Sequence, residues 1–456
     1  MTDKSAIQAV AGAPDSLVRP SHVRIVHIGL GAFARAHLFD YTQRVNETLP
    51  VEAQWGIAGF TGRSARMAEV LGAQDNLYTL TVRDTDGVST KVMTPLIASH
   101  GGDDLDALVE YLRDPEVSIV TVTVTEGGYN LGGFRVDPEI HVLPGGESTA
   151  SARGELAGSA LGRLAVAIFE RFLAGAGPLS VLSLDNIAHN GDTLGHLVRQ
   201  TASALAGDRY EDYALWLNDY VGFVSTVVDR ITPRTADSDV TQTLPGGDLD
   251  RAPVVTEGFR EWDIADGFTS ARPEWELAGA QVVSELEPFT QRKLLLLNAA
   301  HSLLAYAGLA RGFATVREAI ADPELREMVS QLWRDASRNI PFSDTDIENY
   351  TARLLSRFAN PHLDHELAQI AEGGIEKMRI RIGPVLWAAW EQGRKAPAHE
   401  QAVASWADFA GLSTREALQW TLPVSGADPI EPPQELVDVI DNLRIPASTK
   451  ENHEDR

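Results

Sequence analysis

The chain contains no cysteine. That excludes disulfides, thiol nucleophiles, thiolate zinc sites and iron–sulfur ligation. Nor does any stretch approach the roughly 18 uninterrupted apolar residues that a membrane-spanning helix requires. Positive charge is scarce: 39 Lys and Arg stand against 64 Asp and Glu, a formal charge of −25 over 456 residues. A nucleic-acid partner needs a basic footprint, so none is expected, and no membrane partner either. The first residues show no basic region followed by an apolar core, so the expectation is a cytoplasmic protein without a secretion signal. None of the 12 histidines falls in the H-E-x-x-H spacing of a zinc protease. There is no G-x-S-x-G elbow of a serine hydrolase, and no tyrosine is followed by lysine at the Tyr-x3-Lys distance.

What is present is an ordinary globular composition, 44% apolar and 23% charged, in a chain long enough for two or three domains. VRIVHIGL (Val23–Leu30), WGIAGF (Trp55–Phe60), SIVTVTVTE (Ser118–Glu126) and LSVLSLDN (Leu179–Asn186) read as buried strands. Helical patterns such as DDLDALVEYLRD and GRLAVAIFERFLA lie between them. Near-continuous apolar strands alternating with helices predict an α/β fold with a parallel sheet covered on both faces. Beyond about residue 286 the pattern becomes almost wholly helical. The expected organisation is an arm over 1–20, a parallel-sheet α/β domain over 21–285, a mostly α-helical domain over 286–445 and a disordered tail over 446–456.

GLGAFARAH (Gly29–His37) follows the first strand and opens a helix. Gly29 permits a tight turn, Gly31 lets backbone approach a pyrophosphate, and Ala34 replaces the third glycine of the fingerprint with a residue still small enough for close packing. Ala32 and Phe33 then stand at the helix start, where free N–H groups suit an anion. An NAD enzyme usually carries a carboxylate at the end of the second strand; here GFTGRSARM offers Arg63 and Arg66 instead. A guanidinium there suits the extra phosphate of NADP, although both arginines also read as plain surface charges at a helix start. The cofactor is thus NAD or NADP.

KLLLLNAAHSLL (Lys293–Leu304) places an amine, an amide and an imidazole in apolar company. On a straight α-helix Asn298 lies roughly 140° from Lys293 and His301 roughly 80° from it, so all three share a face. A lysine desolvated by Leu294–Leu297 has its pKa lowered towards that of a working base, and an amide can donate to a developing oxyanion. The plainer alternative is a lysine that snorkels and a histidine satisfied in a core.

GLGAFARAH, VTVTEGGYN, SLDNIAHNG, VVDRITP and K-x4-N-x2-H occur in that order, and together they resemble the polyol-specific long-chain dehydrogenase/reductase family. The likeness runs from about Val23 to Ile380. It implies a Rossmann-like N-terminal domain, a helical C-terminal domain and a metal-independent active site in the cleft between them. Family members oxidise mannitol, arabinitol or mannonate, the last to fructuronate. The likeness makes Lys293 the general base, with Asn298 and Asn186 as oxyanion donors. It places His301, Asp229 and Lys377 against substrate hydroxyls. The plain reading of Asp229 is a buried ion pair with its neighbour Arg230 or with another basic group. Glu126 is a carboxylate near the expected cleft and cofactor. There are departures. Thr290 stands where several relatives carry a glutamate, and Gln369 stands where mannitol and arabinitol enzymes carry an arginine. His365 with Gln369 leans towards the fructuronate pattern. The expected reaction is hydride transfer between NAD(P), NAD being favoured by the family, and an open-chain sugar derivative. D-mannonate/D-fructuronate is the first choice, mannitol/fructose and arabinitol/xylulose follow, and a non-enzymatic dinucleotide sensor is the other class of function. The resemblance implies a monomer or a modest homodimer.

Overall fold

A computed structural model describes residues 8–9, 17–62, 64–131, 146–362, 365–422 and 431–444. The tail expected to be disordered lies outside them, as does Arg63. The chain divides into two compact units, Met1–Arg83 with Gly87–Leu286, and Asp84–Asp86 with Glu287–Arg456.

The first unit is built on a six-stranded sheet. Its strands are β1 (Val23–Ile28), β2 (Gly56–Phe60), β3 (Leu96–His100), β4 (Ile119–Val122), β5 (Leu179–Ser183) and β6 (Val221–Val224). Every neighbouring pair is parallel, and the spatial order is β3-β2-β1-β4-β5-β6. This is the order of a doubly wound dinucleotide-binding sheet, in which β1 and β4 flank the point where the winding reverses. Alternate residues feed opposite cores. Val26, Ile28, Ala58, Phe60, Val120 and Val122 pack on one face, whereas Ile25, Ile57, Ile119 and Leu182 pack on the other. Burial on both faces explains why these strands read as unbroken apolar runs.

All four predicted strands are shorter than their apolar stretches. β4 stops at Val122 because Thr123–Thr125 turn away, and β5 stops at Ser183, where the Asp185 turn begins. β3 and β6 were not legible as strands. The expected arm is partly anchored: Gln8–Ala9 pairs in parallel with Gln242–Thr243, and Arg19 bridges Asp75 at 2.5 Å and donates to the Leu96 carbonyl at 3.1 Å.

From Glu287 onward the described regular structure of the second unit is helical, save for an isolated bridge between Thr315 and Glu366. At its centre runs Ala299–Leu309, packed against Pro397–Ala410, Leu367–Ala371 and Pro323–Ala336. Enclosure by other helices explains why this helix is apolar all round rather than amphipathic. No described helix is long and apolar enough to cross a membrane.

Candidate active site

The C-terminal ends of β1 to β4 open onto a cleft of about 810 Å³. Its floor is the fingerprint turn. Gly29 adopts φ +108°, and a Cβ there would lie 2.1 Å from the Thr123 carbonyl oxygen, so only glycine fits. The Gly29 carbonyl accepts from the Thr123 hydroxyl at 2.8 Å and from His27 Nε2 at 3.1 Å. His27 Nδ1 in turn meets Thr121 Oγ1 at 2.8 Å. Burial lowers the His27 pKa to about 4, so the ring makes these contacts in its neutral form near pH 7.

The walls are bare where a ligand would lie. A Cβ on Gly62 or Gly127 would meet nothing within 4 Å, and one on Gly31 would meet only the Gly29 carbonyl oxygen at 3.6 Å. An extended, backbone-hugging ligand such as a dinucleotide fits a bed of this kind. The helix opened by the fingerprint is shorter than expected. Ala32–Ala36 ends at His37, whose backbone breaks away at φ −103°, ψ −81°, before Leu38–Asn46 resumes. The side chains of Ala32 and Phe33 pack on the core, and Phe33 stacks on His37 at 5.1 Å. Ala34 is wholly buried.

The charged residues facing the cleft differ from those expected. Arg66 is exposed on the first turn of Arg66–Gly72 and is not among the lining residues; Ser64 and Met67 are. Glu126 is exposed at the rim, between the lining residues Thr125 and Gly127. Asp103, from the loop after β3, and Arg163, one turn into Ala160–Ala174, do line the cleft. Arg163 donates to the Ala157 carbonyl at 2.7 Å and feels the Asp103 charge. Sequence spacing gave no sign of either, because sheet topology brings them to the fingerprint turn from 72 and 132 residues beyond Gly31.

Asn186 is exposed just beyond the C-terminal end of β5. Buried Asn190 fixes this turn, donating to the carbonyls of Asp185 at 2.8 Å and Thr226 at 2.9 Å and accepting from the Thr226 N–H at 2.9 Å. Asp229 is buried at the end of Thr226–Asp229, and among the described residues Arg230 is not its ion partner. Arg230 instead bridges Asp40 at 2.8 Å, and Asp40 also takes Lys91 at 2.6 Å and Arg44 at 3.1 Å. Those three cations hold the Asp40 carboxyl well below its usual range despite burial.

In the second unit Lys293, Asn298 and His301 are all buried, 9%, 8% and 7% exposed. The straight α-helix expected here is replaced by a π-helix over Lys293–Asn298, followed by α-helix from Ala299. Hydrogen bonds that span five residues set Asn298 one turn from Lys293, so the amide and amine are closer to a common line than α-geometry allows. The widened turn has side-chain partners for its carbonyls. Trp333 Nε1 donates to Leu296 at 2.9 Å, and Ser302 Oγ and Arg381 donate to Asn298 at 3.2 and 3.4 Å.

His301 sits in a cationic cluster. Its ring meets His365 at 5.1 Å between centroids and Phe358 at 4.9 Å. Burial, then His365, Arg357, Arg381 and Lys377, push its pKa well below the usual value, so the ring is neutral. His301 Nε2 is buried with no hydrogen-bond partner among the described residues. Lys377 donates to the Ile370 carbonyl at 2.9 Å. The structure thus gathers His301, His365 and Lys377, whereas Gln369 is exposed on Leu367–Ala371. Arg357 and Arg381 were missed. Arg357 belongs to the R-F-x-N stretch, and Arg381 lies one helical turn after Lys377, so both were within reach of spacing arguments.

Comparison with known proteins agrees with both units. Residues 23–277 match the mannitol dehydrogenase Rossmann domain and residues 285–430 the mannitol dehydrogenase C-terminal domain. A mannitol 2-dehydrogenase of Phaeosphaeria nodorum is 35% identical over 374 residues, covering 79% of this chain and 64% of that protein. The chain therefore spans just under two thirds of that relative's length. The uncharacterized oxidoreductase YeiQ of Escherichia coli is 35% identical over 79% of this chain and 73% of its own. Among solved structures, a D-sorbitol dehydrogenase in substrate-free form superposes with TM-score 0.78 at 26% identity, covering 96% of this chain and 95% of the other. A Pseudomonas fluorescens mannitol 2-dehydrogenase, in ternary complex with NAD and D-mannitol, gives 0.70 at 27% identity over 96% and 87%. From the glycine-floored cleft, the buried Lys-Asn-His segment and these matches, the chain belongs to the mannitol dehydrogenase family.

Proposed function

We propose that this protein is an NAD-dependent oxidoreductase that interconverts a secondary alcohol and a ketone on an open-chain sugar derivative, with D-mannonate/D-fructuronate as its first substrate pair. The observation that carries this reading is the buried Lys293–His301 segment, set one π-turn wide beside a cluster of cations. When bound, the dinucleotide supplies the hydride donor or acceptor. The chain's own residues manage the proton and the oxygen. Lys293 Nζ takes the hydroxyl proton during oxidation and returns it during reduction, while Asn298 donates to the oxygen as charge develops on it; the family resemblance gives Asn186 the role of a second donor. His301, neutral and with a buried nitrogen to offer, orients a neighbouring hydroxyl.

The cluster around His301 supports a sugar acid over a neutral polyol. Arg357, Lys377 and Arg381 all act on His301 as positive charges, and an anionic substrate group complements that field. A substrate carboxylate does so with charge-assisted hydrogen bonds. Mannitol/fructose is the second reading, favoured by the named relatives. For the dinucleotide, Asp103 on the cleft wall accepts from ribose hydroxyls and repels a further phosphate, which supports NAD over NADP. The test is a panel of ketoses and keto-uronates offered with NADH and with NADPH, read at the nicotinamide absorbance. Oxidation of NADH by a keto-uronate is the expected result. Silence on every substrate despite tight dinucleotide binding would make the protein a sensor.

A further inference from the structure

Thr125 holds a backbone conformation that non-glycine residues avoid, φ +64° and ψ 164°. Positions of this kind are strained and persist only where the surroundings impose them. Here the imposing group is visible. The Asp185 carboxylate accepts from two successive backbone N–H groups, Thr125 to Oδ1 at 2.8 Å and Val124 to Oδ2 at 3.1 Å. It also accepts from the Tyr129 hydroxyl at 3.1 Å, and that hydroxyl contacts Ser183 Oγ as well. The turn thus held, after β4, supplies Thr123, Val124, Thr125, Gly127, Gly128 and Asn130 to the cleft. Asp185 is itself 94% buried and tied at its backbone: Asn190 holds its carbonyl, and Ser183 Oγ accepts from its N–H at 3.2 Å.

The geometry points to Asp185 as a positioning residue of the dinucleotide site: its carboxylate clamps the turn after β4 in a strained shape that forms one wall of the cleft. It touches neither dinucleotide nor substrate in this role and acts through Thr125. Because Asn186 is the next residue along the chain, the clamp also ties the turn bearing a proposed oxyanion donor to the cofactor wall. The inference rests on the dinucleotide reading above. Burial raises the Asp185 carboxyl, opposed by the hydrogen bonds from Thr125, Val124 and Tyr129. An amide in its place cannot accept from both backbone N–H groups with separate oxygens, since it has one oxygen and brings two donors of its own.

The experiment is a double-mutant cycle on the full chain, with NADH affinity read by fluorescence titration and folding read by thermal melts. Asp185→Asn should weaken NADH binding about tenfold to a hundredfold, the size expected for losing hydrogen bonds to a charged group. In the Thr125→Gly background the same substitution should cost less than about threefold, because glycine adopts the strained conformation unaided. Tyr129→Phe removes one donor and should weaken binding in the same direction but less, which keeps the clamp testable should Asp185→Asn fail to fold. An equal penalty in both backgrounds, or unchanged affinity in Asp185→Asn and Tyr129→Phe, would overturn the clamp. Failure of the unaltered protein to bind NADH would instead overturn the dinucleotide reading, and the clamp with it.

Discussion

The rings of His301 and His365 meet edge to face, 5.1 Å between centroids and 81° between planes. Around them Arg357, Lys377 and Arg381 all act to keep His301 uncharged. An anionic substrate group should therefore be read by charge here, and Lys377 is the member to test, being on a helix surface rather than in the core. Lys377→Gln keeps a donor and removes the charge. It should lower kcat/KM about tenfold or more for a keto-acid sugar and less than about threefold for a neutral ketose. Equal losses on both substrates would contradict charge recognition.

Gly31 faces the open cleft, where an added side chain meets no wall. Gly31→Val should leave the melting temperature within a few degrees, because Gly31 is exposed at φ −96°, where any residue is tolerated. Dinucleotide affinity, by titration, should fall tenfold or more as the isopropyl group occupies the bed. Unaltered affinity would mean the dinucleotide does not lie against this turn.

Four wholly or nearly buried histidines prefer the neutral form. Burial lowers His27 to about 4, His37 to about 3 and His399 to about 3, and His301 well below its usual value. Unfolding exposes them at an ordinary pKa near 6.5, so below that pH the unfolded chain binds protons that the native chain does not. Stability should thus be full above about pH 6.5 and fall as pH drops towards 4, with each histidine contributing up to ~1.4 kcal/mol per pH unit. Urea unfolding at pH 7 and 5.5 checks this. His399 has no hydrogen-bond partner at either ring nitrogen among the described residues, so His399→Leu should flatten the slope by one histidine's share. A slope unchanged in that variant would contradict the assignment.

Much of the nucleotide-binding unit was readable because β1 and the glycine turn are local signals: an apolar run followed at once by Gly29 and Gly31. The Lys293–His301 segment was equally plain, since polar residues inside an apolar helix stand out. What stayed hidden depends on partners distant in sequence. The π-turn is held partly by Trp333 and Arg381, 37 and 83 residues from the carbonyls they reach. Asp103 and Arg163 enter the cleft only through the sheet order, and Arg66, expected there, turned out to be an exposed residue of a helix start. Thr125 carries no local mark of its strain, because Asp185 imposes it from 60 residues away.

The most direct measurement is turnover of Lys293→Ala with saturating NADH and the best ketone of the panel, set beside NADH affinity of the same variant. With the amine acting only on the substrate proton, kcat should drop by about 10²–10⁴ while NADH binding stays within about twofold. A variant that turns over as fast as the unaltered enzyme would remove Lys293 from the chemistry and with it the account of this site.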